Sequence, residues 1–303
     1  MTDIYEKLLG AADKNHIKVG EEMRKHTSFK VGGPAVYFVT PSDEKELAAV
    51  LLVCREEEVS YFILGNGSNL LVGDEGFDGV VISMDGFVGC DVDRETGVVQ
   101  AGAGLSLARI AQEAYKSSLT GFEFAAGIPG TLGGAVVMNA GAYGSEMKEV
   151  LRSVRVLTPE GEVKEIPAAE LSLGYRNSCI VTMQYVVLSA KIRLKEGDPV
   201  SIKSRMDELA GRRKDKQPLE YPSAGSTFKR PEGYFAGKLI EDAGLRGFTL
   251  GGAQVSEKHC GFVVNKDHAT AAEIKALCEE VKARVKEKSG VELEMEVKTL
   301  GKF

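Results

Sequence analysis

Few side chains in this chain stand in patterns that could move a proton or offset charge. Ser226 lies in Ala224-Gly225-Ser226-Thr227-Phe228, Arg176 in Gly174-Tyr175-Arg176-Asn177-Ser178, and Glu292, Glu294 and Glu296 alternate near the C-terminus. A serine hydroxyl can attack or protonate, but the chain has no GxSxG strand-turn-helix signature that would expose it as a nucleophile. His259 is the tempting base, yet nothing in the sequence brings it near Ser226, so it is read as a structural or solvent residue. Alternation puts the three glutamates on one side of an extended segment without choosing among them, and a solvated edge face would show the same pattern.

The stronger signal is glycine. Residues 121–144, GFEFAAGIPGTLGGAVVMNAGAYG, hold seven glycines and, apart from Glu123, no charge. Glycine weakens regular elements by about 0.5–1 kcal/mol each, so such a run belongs where backbone must lie against something flat or anionic. A second loop, Gly65-Asn66-Gly67-Ser68-Asn69, follows a predicted strand, where successive N–H groups can form a concavity for phosphate. Alone it could equally be a tight turn. Paired with glycines 127, 130, 133 and 134, it points to a shared nucleotide site. Neither loop is a GxGxxG or GxxxxGK[ST] fingerprint, which argues against a doubly wound dinucleotide domain and a P-loop ATPase.

The elements that must hold these loops follow from periodicity and caps. A helix is expected over 2–14, and strands over 36–39, 61–64, 80–83, 98–101, 150–157 and 181–194. Asp43 with Glu46, and Thr270 with Glu273, have capping-box spacing before apolar helical faces. Ser106 can cap a helix carrying Leu107, Ile110, Ala111 and Ala114. A helix over 201–211 should lead through a charged linker containing Arg212, Arg213, Lys214 and Lys216, a group that would suit a diphosphate. Residues 235–243 read as a helix ending at Gly244, and 291–297 as a strand.

At 303 residues the chain exceeds one comfortable core, so two or three domains are expected. No secretory or membrane-spanning pattern occurs, and the expected location is the cytoplasm. Net charge −6 argues against nucleic acid as the main partner. The five cysteines form no CxxC pair, so neither a zinc site nor a disulfide framework is indicated.

Six segments in order, HTSFKVGGPA (26–35), ILGNGSNLLV (63–72), the glycine-rich run (121–144), GYRNS (174–178), PSAGSTFKRP (222–231) and LEMEV (293–297), resemble the UDP-N-acetylenolpyruvoylglucosamine reductase family of peptidoglycan precursor synthesis. They span nearly the whole chain. The resemblance implies an α+β protein with a vanillyl-alcohol-oxidase/PCMH-type FAD-binding fold in two subdomains, 1–85 and 86–200, and a C-terminal α+β substrate-binding domain, 201–303. It implies non-covalent FAD between the first two and a UDP-sugar nucleotide against the third, with NADPH as reductant. It implies no metal, no nucleic acid and no membrane partner, in a monomer or weak homo-oligomer.

Carried over residue by residue, Asn66, Gly67, Ser68 and Asn69 would hold the flavin diphosphate. Gly127, Ile128, Gly130, Gly133 and Gly134 would approach the cofactor, with Asn139 and Gly141 close behind. Ser226 matches the proton donor, Glu296 the catalytic glutamate and Arg176 the catalytic arginine. Tyr175 should line the substrate pocket, with Lys216 and Arg230 near the substrate diphosphate; some members have asparagine at the latter. The run from Tyr175 to Leu194 leaves no room for the tyrosine-bearing loop of some members, so the chain resembles the shorter subclass.

The implied chemistry is hydride transfer from NADPH to FAD, then to the vinyl carbon of the enolpyruvyl group. Arg176 would offset the growing enolate charge, Glu296 should carry its proton, and Ser226 would protonate the ether-bearing carbon. Two rivals stand beside this: another flavin oxidoreductase of the same fold, and a nucleotide-binding regulator without turnover. The four histidines lie outside the glycine-rich loops, which disfavours covalent flavin attachment.

Overall fold

Local sequence decides where several helices begin, and the computed structural model, which describes residues 4–303, shows side-chain caps at Asp43, Ser106 and Thr270. The chain gathers into two compact units. The first comprises the segments up to Lys18, Tyr37–Asn66 and Gly79–Arg213; the second comprises Val19–Val36, Gly67–Asp78 and Lys214–Phe303. The sequence reading has three consecutive stretches instead. Periodicity cannot show that two short N-terminal segments pack with the last third of the chain, because that association is tertiary.

The first unit contains α1 (Ile4–Ala11), α2 (Glu44–Glu56), α3 (Leu107–Lys116), α4 (Leu132–Val137), α5 (Cys179–Thr182) and most of α6 (Pro199–Lys216). Ser106 Oγ accepts from Arg109 N–H at 3.3 Å, and Leu107, Ile110, Ala111 and Ala114 of α3 are all buried, as their spacing predicts. Asp43 caps α2, but Glu46 does not close a capping box. Its carboxylate accepts instead from Ser42 N–H, Asp13 N–H and His16 Nδ1. Burial pushes the Glu46 pKa up, yet these hydrogen bonds outweigh it and hold it at about 2.

An antiparallel five-stranded sheet runs Val163–Pro167, Leu151–Leu157, Val186–Arg193, Val98–Gly102, Cys90–Asp93. A four-stranded sheet runs Ile17–Glu22, Pro34–Val39, Phe77–Ser83, Tyr61–Leu64. Its last pair is parallel, Tyr61 opposite Val80 through Leu64 opposite Ser83, and so aims the strand end into Gly65-Asn66. Three expectations change here. The strand over 181–194 starts only at Val186, because Cys179–Thr182 closes a helical turn. The charged linker is the last turns of α6. The glycine-rich run contains α4, where a Cβ on Gly133 would press on Ala103 Cβ at 3.0 Å.

The second unit has its own apolar core, on which α7 (Ala236–Asp242) and α8 (Ala271–Ser289) pack. Thr270 and Glu273 form a complete capping box for α8, and Gly290 ends it at φ +72°. Asp74 accepts from Ala271 and Ala272 N–H, each at 2.8 Å. Leu70–Val72 pairs in parallel with Lys298–Leu300. The segment expected as a strand over 291–297 alternates in burial, but it forms only a short ladder, centred on the bridge of Phe228 to Met295, and no full strand. Among the described residues no helix is long and apolar enough to cross a membrane.

Candidate active site

Within the first unit Gly65 and Asn66 meet the glycine-rich run. Asn66 Nδ2 donates to Pro129 O at 2.6 Å, across 63 positions of sequence. A side chain on Gly65 would collide with the Thr131 hydroxyl, which is buried and has no hydrogen-bond partner. An orphaned buried hydroxyl costs about 1–3 kcal/mol and marks a place where a ligand can supply the partner. Gly127, Pro129 and Gly134 are exposed, with Ile128 and Gly130 half-buried. These groups fit a flavin dinucleotide: backbone without side chains, one uncommitted buried hydroxyl, and donors on Asn66.

Three other positions expected at or near the cofactor also hold the local fold. Gly133 is buried beneath Ala103, as the start of α4 requires. Gly141 opens a hairpin in which a Cβ would meet Ser145 O at 2.6 Å. Asn139 is a correction to the expected contacts: it is 0% exposed, so its side chain cannot touch a ligand. It stands at φ +41° and is fully used inside the protein. Its Nδ2 donates to Glu146 Oε2 and Gly174 O at 2.9 and 3.0 Å, and its Oδ1 accepts from Lys148 N–H at 2.9 Å.

Through Gly174, Asn139 holds the turn that carries Arg176. Gly174 and Asn177 bond each other in both directions, which leaves Tyr175 and Arg176 as a two-residue tip. Arg176 has φ +54°, a left-handed conformation that favours glycine, and its guanidinium lies 5.2 Å from the Tyr175 ring centre. Ser178 Oγ anchors the return strand on Val137 O at 2.8 Å.

Within the second unit Ser226 and Glu296 come together. Thr227 O accepts from Glu296 N–H, and Lys229 N–H donates to Glu294 O, both at 2.8 Å. Buried Thr227 clamps the loop from its other side, donating to Gly261 O and accepting from Val263 N–H at its hydroxyl. Gly225 takes the turn at φ +75°, and Ser226 is left exposed. The three glutamates now differ. Glu292 pairs with Lys286 and Glu294 with Lys229, both carboxylates in solvent, whereas Glu296 is half-buried. Asn69 Nδ2 donates to Glu296 O at 3.1 Å, so this loop residue fixes the backbone of the glutamate. In the same loop Gly67, at φ +57°, lies against His26 O, and Ser68 is half-buried beside it.

The remaining positions separate. Lys216 is exposed at the end of α6. Arg230 stacks over the Phe235 ring at 3.9 Å and donates from Nε to Tyr234 O at 3.2 Å. His259 accepts from Gly261 N–H at Nδ1 and packs edge-on against Phe262, while burial pulls its pKa down, as befits a structural residue. Arg213, read from the sequence only as one of four basic linker residues, is the one that the structure draws inward. Its Cδ lies 3.4 Å from where a Gly127 Cβ would stand, and burial pulls its pKa down against the nearby Tyr143. No carboxylate pairs with it among the described residues. Glu208 takes Arg212 at 2.5 Å, an i,i+4 pair that a helical reading of 212–216 would have exposed, with Arg213 left on another face.

Comparison with known proteins agrees with this layout. Residues 35–167 match the model of an FAD-binding domain, and 217–300 that of the UDP-N-acetylenolpyruvoylglucosamine reductase C-terminal domain. The UDP-N-acetylenolpyruvoylglucosamine reductase of Clostridioides difficile is 53% identical over 300 residues, covering 99% of this chain and 98% of that one. The protein of that name from Caldanaerobacter subterraneus is 49% identical over 298 residues, covering 98% of each. The crystal structure of UDP-N-acetylenolpyruvylglucosamine reductase from Thermus caldophilus aligns with TM-score 0.79 at 36% identity, covering 94% of this chain and 100% of that one. A Phl p 4 variant, a glucose oxidase, shares the fold alone, with TM-score 0.52 at 16% identity over 65% of this chain and 44% of its own. The fold is the FAD-binding, vanillyl-alcohol-oxidase type that the motifs led one to expect.

Proposed function

Because the chain belongs to the UDP-N-acetylenolpyruvoylglucosamine reductase family, we propose that it reduces UDP-N-acetylglucosamine enolpyruvate to UDP-N-acetylmuramate with electrons from NADPH, a cytoplasmic step of peptidoglycan precursor synthesis. The observation that carries the chemical reading is the short backbone pairing in which Thr227, next to Ser226, meets Glu296. It brings exposed Ser226 and half-buried Glu296 onto adjoining stretches of backbone, a pair of proton-bearing groups suited to the final protonation of an enolpyruvyl ether.

Non-covalently bound FAD supplies the two-electron relay between nicotinamide and substrate. Asn66, Gly67, Ser68 and Asn69 hold its diphosphate end, while Gly127, Ile128, Gly130, Thr131 and Gly134 lie along it. Gly133, Asn139 and Gly141 keep that surface in shape. Arg213 supplies positive charge beside Gly127 for an anionic group. Tyr175, Lys216 and Arg230 bind the sugar nucleotide.

Reduction of the vinyl carbon builds negative charge on the ether-bearing carbon and its carboxylate, and Arg176 offsets that charge. Glu296 donates its proton in a hydrogen bond there. Ser226 then gives its hydroxyl proton to the ether-bearing carbon. An alcohol is a weak acid, but a carbanion-like intermediate is basic enough to take its proton when the geometry is already set.

The test is anaerobic. NADPH added to the flavin-loaded protein should bleach the flavin band, and the enolpyruvyl sugar nucleotide added afterwards should restore it. Bleaching with no recovery would replace the reading with a flavoprotein of another substrate.

A further inference from the structure

Of the nine tyrosines and twelve phenylalanines in the chain, four are exposed: Tyr143, Tyr175, Tyr234 and Phe235. Tyr143 lies in the glycine-rich run and Tyr175 beside Arg176, both in segments already assigned to the site. Tyr234 and Phe235, 48% and 62% exposed, are neighbours at the start of α7, and no role described so far uses their rings. Soluble proteins do leave single apolar side chains in water, but an adjacent pair of aromatics is a small patch, and a ring fixed in place is a binding surface.

Phe235 is fixed. The Arg230 guanidinium covers its ring at 3.9 Å and is itself tied to Tyr234 O through Nε. Tyr234 N–H donates to Pro231 O at 3.1 Å, so the turn between the cation and the ring is closed. Arg230 also follows directly on the ladder that carries Ser226. Thr227, Phe228 and Lys229 pair with Glu296, Met295 and Glu294 in extended register. Three residues of extended chain therefore separate the proton donor from the stacked arginine, four steps or about 13 Å at a strand's rise per residue. A ligand with its enolpyruvyl group at Ser226 and a sugar and diphosphate running along the ladder would present its base near Phe235.

We propose that Phe235, held by Arg230, is the platform on which the uracil of the UDP-sugar stacks, with the guanidinium facing the adjoining diphosphate. Aromatic stacking is tolerant of base identity and suits an open, exposed ring. This inference rests on the proposed reductase function for its choice of uracil, and it supplies a substrate contact to a chain that lacks the tyrosine-bearing loop of other members.

The experiment uses flavin-loaded wild type, Phe235→Ala and Phe235→Tyr. UDP and inorganic pyrophosphate are titrated separately, and steady-state turnover is measured with NADPH and the enolpyruvyl sugar nucleotide. Phe235→Ala should weaken UDP binding by about tenfold or more, the range that loss of a base stack gives. Pyrophosphate affinity should stay within about twofold, since Arg230 remains, and Phe235→Tyr should restore UDP binding. In turnover the KM for the sugar nucleotide should rise with the UDP dissociation constant, while kcat and the KM for NADPH move little. Unchanged UDP affinity in Phe235→Ala, or an equal rise in the KM for NADPH, overturns the proposal. Wild type that binds UDP through Phe235 yet fails to be reoxidised by the enolpyruvyl compound sinks the functional reading and leaves the platform standing.

Discussion

The Arg176 turn and the Ser226 loop solve one problem in opposite ways. Each must present a side chain at a chain tip with little freedom. At the first, the functional residue itself takes the left-handed backbone, φ +54°. At the second, Gly225 takes it at φ +75°, and Ser226 is spared. The supports differ too. Arg176 is held from behind by a side-chain network through buried Asn139, whereas Ser226 is held by backbone pairing on both sides of Thr227. The side chains explain the contrast. An arginine loses up to about 2 kcal/mol of rotamer entropy when ordered, a serine far less, so its origin and direction need tighter control. Stacking on Tyr175 adds to that control. A serine needs only its hydroxyl at the right point of a relaxed strand.

Removing the chemistry at the second tip should have the largest effect. In Ser226→Ala, reoxidation of reduced flavin by the enolpyruvyl substrate should slow by about 10²–10⁴-fold, the usual weight of a positioned acid. Bleaching by NADPH should be unaltered, and the ladder should keep the fold intact. Equal loss of both half-reactions in stopped-flow absorbance would show that the loop serves the cofactor instead.

Removing the support at the first tip comes next. Asn139→Ala removes the hydrogen bonds of a buried side chain to Glu146, Gly174 and Lys148 and should cost about 1–3 kcal/mol in urea unfolding. The comparison breaks if stability is unchanged, because the Arg176 turn would then be holding itself.

The smallest effects sharpen the contrast in backbone strain. Arg176→Gly should raise stability by about 0.5–1 kcal/mol, since glycine adopts that φ freely, although it removes the charge proposed to act in catalysis. Gly225→Ala should lower stability by about 1 kcal/mol for the converse reason. A Cβ there meets nothing within 4 Å, so any loss is torsional. Opposite signs in matched thermal melts support the distinction, and equal signs remove it.

Much of the fold was legible where neighbours in sequence are neighbours in space. The caps at Ser106 and Thr270 and the apolar faces behind them needed no tertiary information. The Asp43 box failed because Glu46 found Asp13 N–H and His16, thirty residues away or more, in place of its own cap. The segment 181–194 was misread at its start because a β-branched run can also close one helical turn. The motifs were legible in order, and Arg213 stood among the basic residues of 212–216, but its place beside Gly127 was not legible because that stretch read as a linker and not as helix.

What the sequence determined by itself was the family, the two glycine loops, the serine and arginine tips, and three equivalent glutamates. Local chemistry encodes these: glycine where side chains cannot fit, polar caps beside apolar stripes, strict alternation. The family motif already pointed to Glu296, and the tertiary structure supplied the physical distinction, since burial and the Asn69 contact from 227 positions away separate it from two solvated neighbours. It alone turned Asn139 from ligand to support and set Arg230 over Phe235. Such distinctions depend on which surfaces water still reaches after packing, and no run of adjacent residues carries that.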